Sequence, residues 1–253
     1  MFCSGCGSQM ADHTKFCGKC GTAAEVQAAS NETAAASEPV QAGTSGNDIK
    51  DNVYVKQGKE VGSMYLAFAL AAIKAPFTTA KQTDETGFVN GIISILLFSV
   101  FYSLTSYNLI GSFVSFWEGA LVPAFLLTVT FFLFAGVMTL VLKLMNVGAT
   151  YKNVLARYGA LLVFPGALAM FGFVLALLSL NFLGVFIALM SVVFIPLTFF
   201  GTMFSFERKG PGGLDAFYGI VLTNVLIMII SILTLASMVQ RMIEEITSSF
   251  WFL

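Results

Sequence analysis

The chain has 253 residues, of which 57% are hydrophobic and only 11% charged, with a mean hydropathy of +0.84. Soluble domains hold about 45–50% apolar and about 25% charged residues, so this much apolar surface exceeds what one water-soluble core hides. The net charge of −1 excludes a nucleic-acid binder held by bulk charge.

All four cysteines fall in the first 20 residues, as Cys3-Ser-Gly-Cys6 and Cys17-Gly-Lys-Cys20. A Cys-x-x-Cys turn puts two thiolates on one small loop, and two such loops close a tetrahedron around a zinc ion. Gly7 and Gly21 follow the pairs and suit the tight turns. Two disulfides need an oxidising compartment, yet Met1-Phe2-Cys3 offers neither the basic nor the apolar part of a signal peptide. A redox Cys-x-x-Cys sits beside a βαβ pattern, which the sequence lacks. The expectation is one structural zinc on Cys3, Cys6, Cys17 and Cys20, in a module whose folding and metal binding are one event. His13 lies between the pairs and is read as a surface residue.

The pattern Cys3-Ser-Gly-Cys6-Gly and Phe16-Cys17-Gly-Lys-Cys20-Gly resembles the short zinc ribbons at the N-termini of many bacterial membrane proteins. The likeness covers residues 1–21 and implies a β-ribbon used for docking or regulation.

Residues 22–58 turn to Ala, Ser, Thr, Gly, Glu and Gln, with too few large aliphatic side chains to offset the entropy of ordering, so a disordered tether is expected. In residues 59–82 the uncharged run Val61–Ile73 is 13 residues, about 20 Å of helix against a hydrocarbon core of about 30 Å. Lysines 56, 59, 74 and 81 bracket it, and Pro76 ends or kinks it. An amphipathic helix at the membrane interface is expected, with a sixth span as the rival.

The remaining apolar runs give five spans, at about 88–107, 119–142, 157–180, 182–204 and 216–240, within a domain at 83–240. Tyr158 to Phe206 is 49 residues without a charge, enough for two helices with Asn181 at the turn. The apolar runs are continuous and not alternating, which excludes transmembrane β-strands. Prolines 123, 165 and 196 are expected to kink helices without abolishing spans. Twelve of the 13 lysines and arginines fall on the N-terminal side of this layout and only Arg241 on the other. The positive-inside rule then places the N-terminus in the cytoplasm of a multi-pass cell-membrane protein. The need for reduced cysteines points the same way. Residues 241–253 form an extracytoplasmic tail, and Phe250-Trp251-Phe252 reads as an interfacial anchor, with a partner-binding tail as the alternative.

The fold class is thus an all-α polytopic membrane protein of five transmembrane helices with a small N-terminal zinc-ribbon module. The basic, proline-containing entry Lys74-Ala-Pro76-Phe77 and the stretch Tyr151-Lys-Asn-Val-Leu-Ala-Arg157-Tyr-Gly-Ala-Leu-Leu-Val-Phe-Pro165 resemble the Yip family of five-span membrane proteins. That likeness covers about residues 60–240. It implies no enzymatic residues, and joined to a zinc ribbon it suggests a Gram-positive bacterial origin, where GTPase partners are not implied.

The predicted mid-membrane zones carry no ionisable side chain of the kind that polytopic enzymes and ion-coupled transporters use. Glu118 and Lys143 lie at span ends, and Glu244-Glu245 lie beyond the last span. Asn224 in the fifth span is the intramembrane polar contact, read as an interhelical hydrogen bond or as lining a pathway. Gly87-Phe-Val-Asn-Gly91 fits a small-x-x-x-small helix contact. Residues 1–58 hold four lysines against six acids, a poor footprint for phosphate, and no nucleic-acid partner is expected. The leading expectation is a non-enzymatic membrane scaffold or adaptor that contacts the bilayer and docks a protein through its ribbon. The alternative is a transporter or lipid-handling protein, one form of which is an accessory to an ABC exporter. Homo-oligomerisation is left open.

Overall fold

A computed structural model describes residues 53–110, 114–207 and 212–250. Cys3, Cys6, Cys17 and Cys20, with the predicted zinc ribbon and most of the predicted tether, lie outside the described residues. Those described belong to one compact unit, Asp48–Leu253.

Eight α-helices follow one another among the described residues: α1 (Val53–Lys74), α2 (Pro76–Gln82), α3 (Phe88–Ile110), α4 (Val122–Leu144), α5 (Tyr151–Leu177), α6 (Asn181–Val193), α7 (Ile195–Phe204) and α8 (Ala216–Phe250). Five segments are long and apolar enough to cross a membrane: Glu85–Asn108, Trp117–Leu144, Tyr151–Leu177, Asn181–Phe204 and Ala216–Glu244. The chain is therefore multi-pass in character, and lipid contact is consistent with its outward Phe, Leu and Val side chains.

The helix boundaries refine the expected ones for local reasons. Helix α1 starts at Val53, so the helical chain reaches six residues into the segment read as a tether. Pro76 occupies the first turn of α2, where its missing N–H costs nothing, and the chain bends at Ala75. Asn181 is the first residue of α6 and not the turn. The turn belongs to Ser179, which adopts a left-handed φ of 64°. The Leu180 N–H bonds the Leu175 carbonyl and the Ser179 N–H that of Ala176, both at 3.0 Å, closing the end of α5 as a Schellman motif. Asn146 (φ 59°) ends α4 in the same way, with Val147 N–H donating to the Leu142 carbonyl at 2.9 Å. Thr150 then caps α5 through the Asn153 N–H. The predicted tail is no separate element up to Phe250, because nothing in Arg241–Phe250 breaks a helix and Gln240 bonds Glu244 one turn on at 3.0 Å.

The three prolines act differently. Pro165 lies inside a continuous α5, Pro123 opens α4, and Pro196 opens α7 immediately after the break at Phe194 that divides the fourth span. Helix α5 is central: over half of its apolar span is buried, against 17% for that of α8. Glycines set how close its neighbours come. A Cβ on Gly159 would collide with the backbone of Gly91 in α3, and one on Gly172 would sit 2.7 Å from the Gly184 carbonyl of α6. Without a hydrophobic drive between helices in lipid, such close approach supplies the dispersion contact that holds them. Gly91 thus does join a helix contact, with α5. The core around α5 is aromatic, with Tyr158 stacked on Phe199 and Phe131 set edge-on to Phe98 and Phe134.

Candidate functional site: an intramembrane cavity

Helix α8 stands apart from most of the bundle. It packs chiefly on α4 and touches the π-helical turn Trp117–Leu121. The space between α8 and the wall made by α3, α4, α6 and α7 is a cavity of about 700 Å³. That falls within the range of about 300–1,000 Å³ typical of ligand pockets. On α8 the lining runs as a helical stripe through Asn224, Ile227, Met228, Ser231, Thr234, Leu235, Met238, Val239 and Met242. At 1.5 Å per residue that stripe is about 27 Å long, close to the full depth of a hydrocarbon core. The facing wall supplies Phe98, Tyr102, Leu127, Phe131, Leu189 and Phe199, with hydroxyls from Ser103, Thr105, Ser106 and Thr130. No lining residue among those described carries a charge.

The polar groups on these walls are spent mainly on their own helices. Thr105 donates to the Phe101 carbonyl at 2.8 Å and Ser231 to that of Ile227 at 2.8 Å. The Asn224 amide donates to the Ile220 carbonyl at 2.8 Å, a bond within α8. Asn224 also lines the cavity. The bond that does join helices across this region is Thr130 to Thr234, at 2.9 Å between α4 and α8. Two threonines among many gave no sequence signal for it. Ser103 Oγ is buried on the cavity wall without a hydrogen-bond partner among the described residues.

Each end of the bundle has its own electrostatics. At one end Arg157, on the first turns of α5, ties three segments together. Its Nε donates to the Thr83 carbonyl (3.2 Å) and to Asn153 Oδ1 (2.9 Å), its Nη1 donates to the Ser205 carbonyl, and the guanidinium lies 4.2 Å above the Phe206 ring. Lys81 pairs with Glu207 at 3.0 Å, and this hydrogen bond, with the lysine charge, holds the Glu207 carboxyl below its ordinary range. Asp84 is likewise lowered, first by the hydroxyl and then by the N–H of Thr86. Arg157 stands within the stretch likened to the Yip family, yet that likeness did not single it out.

At the other end, beside the cavity, Glu118 sits in the π-helical turn and Arg241 on the last part of α8. Their closest atoms, Oε2 and Nη1, are 4.0 Å apart, too far for a hydrogen bond. A single π-helical turn frequently marks a functional position. Both charges were expected at span ends; their pairing was not, since 123 residues of sequence separate them.

No group of three or more His, Cys, Asp or Glu side chains that could hold a metal occurs among the described residues. Comparison with known proteins adds no name to this arrangement: no family model, no curated protein and no solved structure matches the chain.

Proposed function

We propose that this chain is a non-enzymatic membrane protein that holds a lipid hydrocarbon chain between α8 and the rest of its helical bundle. The observation that carries this reading is the cavity: about 700 Å³, uncharged, and lined mainly by apolar side chains, with Asn224, Ser231 and Thr234 among them, over about 27 Å of α8. An aqueous route needs polar or ionisable groups along its length, whereas these hydroxyls bond largely to their own helices. A lipid tail fits because it asks for dispersion contact and few hydrogen bonds.

The second reading is the membrane adaptor, favoured by the spacing of Cys3, Cys6, Cys17 and Cys20. The two are compatible: a cytoplasmic zinc ribbon of the proposed kind would bring a protein partner to a lipid-loaded bundle. The likeness to the Yip family supports the five-span layout of this proposal and names no activity.

Native mass spectrometry of the purified full chain tests the lipid reading. Wild-type protein is expected to retain one lipid after delipidation of its annulus. Ser231→Phe, which projects a ring into the cavity from α8, is expected to lose it while eluting as the same folded species. If wild type and Ser231→Phe retain lipid equally, the cavity is not where the lipid sits and the reading is overturned.

A further inference from the structure

We propose that α1 lies flat in one membrane leaflet, at the Arg157 end of the bundle, and binds anionic lipid headgroups through Lys59 and Lys74. Its three sides meet protein, acyl chains and water in turn, and none of this rests on the lipid-chain reading above. The docked side is set by residues at helical spacing. Tyr65 shares a hydrogen bond with Ser94 of α3 at 3.2 Å, and Phe68 packs against Ala160 and Leu161 of α5 together with Ala80 of α2. Ala69, half-buried, and Ala72, fully buried, continue the same side.

The level of this contact decides what surrounds the rest of α1. Ser94 and Leu161 lie nine and ten residues into the membrane-length segments Glu85–Asn108 and Tyr151–Leu177, about 14 Å along either helix. That level falls inside a hydrocarbon core of about 30 Å. Beside it, Leu66, Leu70 and Ile73 repeat at i, i+4 and i+7 and turn an apolar strip away from the docked side, each 44–60% exposed. Apolar side chains at that depth around a membrane bundle are covered by acyl chains. Glu60, Ser63, Ala67 and Ala71 make the third side, all exposed and either polar or small.

The charges keep α1 in the plane. It is not among the five membrane-length segments, and its C-terminal end is tied to the Arg157 end because the Thr83 carbonyl accepts from Arg157. A crossing α1 would therefore point its N-terminal half deeper. That would carry Lys59 and Glu60 about 9 Å beyond the Tyr65 level, still inside the core, where exposed charges are costly. Lying flat avoids this cost. Lys59, seven residues before Leu66, heads the apolar strip, and Lys74 follows Ile73 at its foot. Both ammonium groups then snorkel to the headgroup level, where anionic phosphates attract them.

The full chain, reconstituted in phosphatidylcholine vesicles with or without phosphatidylglycerol, provides the test. In a Trp117→Phe, Trp251→Phe background, Leu70→Trp should be quenched by lipids brominated near the headgroup end of their chains and shielded from aqueous acrylamide. Ala67→Trp should show the reverse. Leu66→Trp, on the same strip, gives the first result again should Leu70→Trp fail to fold. Phosphatidylglycerol should slow hydrogen exchange of residues 58–74 by about fivefold, the worth of one lysine near an anionic surface. Lys59→Gln combined with Lys74→Gln should remove that difference. Strip tryptophans open to acrylamide and missed by brominated lipid place water there, and shielding from both quenchers places a protein there. Strongest quenching of Ala67→Trp by bromines at the chain ends means that α1 crosses. Each of these three results overturns the proposal. Equal exchange in the two vesicles overturns the headgroup assignment.

Discussion

Arg157 is the side chain on which most polar contacts of the described structure converge. It gathers the Thr83 carbonyl, Asn153 and Ser205, and it covers Phe206. Replacing it by Gln leaves those acceptors short of a cationic donor, and a loss of about 2 kcal/mol in stability is expected from hydrogen bonds to a charged group. Arg157→Lys should recover only part, since an ammonium reproduces neither the fork of donors nor the ring contact. Unfolding of the purified protein by a denaturing detergent checks both. Thr130→Val, which removes the bond to Thr234, should cost about 0.6 kcal/mol in the same assay, near the average for interhelical hydrogen bonds in a bilayer. Asn224→Leu frees only a carbonyl of its own helix and should cost no more. For Glu207 the sign is fixed by its partner. Its carboxyl is lowered by Lys81, so the stability it contributes is present above the ordinary carboxylate range and fades as the pH falls through its own value. Lys81→Met should remove that part of the acid dependence, measured from the ordinary carboxylate range downward, and added salt should shrink it, because both groups are exposed.

Among elements, the contact of α3 with α5 and that of α5 with α6 depend on missing side chains. A Cβ at Gly159 meets the Gly91 backbone, and backbone cannot step aside. Gly159→Leu is therefore expected to prevent assembly of the bundle, seen as loss of a monodisperse peak on gel filtration. Gly136→Ala in α4 has nothing within 4 Å of the added carbon, so it should leave elution and stability unchanged. Helix α8 follows another logic. It packs chiefly on α4, to which the Thr130–Thr234 pair bonds it, and it meets the Trp117–Leu121 turn through a charge pair. That one-sided seating creates the cavity.

For the whole molecule, topology and metal are the proposals that reach beyond the described residues. The count of basic residues predicts that a reporter fused after Lys209 reads cytoplasm and one fused after Leu253 reads the outside. Agreement of the two fusions on one side would revise the number of spans, with residues 61–80 the first suspect. One zinc per chain is expected by elemental analysis of reduced protein, falling to none in Cys17→Ser. Five membrane-length segments came directly from runs without charge, since a bilayer constrains length and hydropathy and little else.

Local chemistry determined what the sequence could show by itself: the helical class, five spans, the interruption at Pro76 and the paired cysteine spacing. Turn positions were less legible. Ser179 and Asn146 adopt the left-handed conformation that closes a helix, a position that Asn takes readily and Ser seldom does, so Ser179 carries no local signal for it. The cavity was decided by tertiary structure alone. A stripe of Ile, Met and Leu on α8 reads the same whether it faces lipid, another helix or a void, because all three environments are apolar. Glu118 and Arg241 looked like two separate end-of-span charges for a similar reason. Their meeting depends on α8 returning to the turn before α4, a long-range placement that no local pattern encodes.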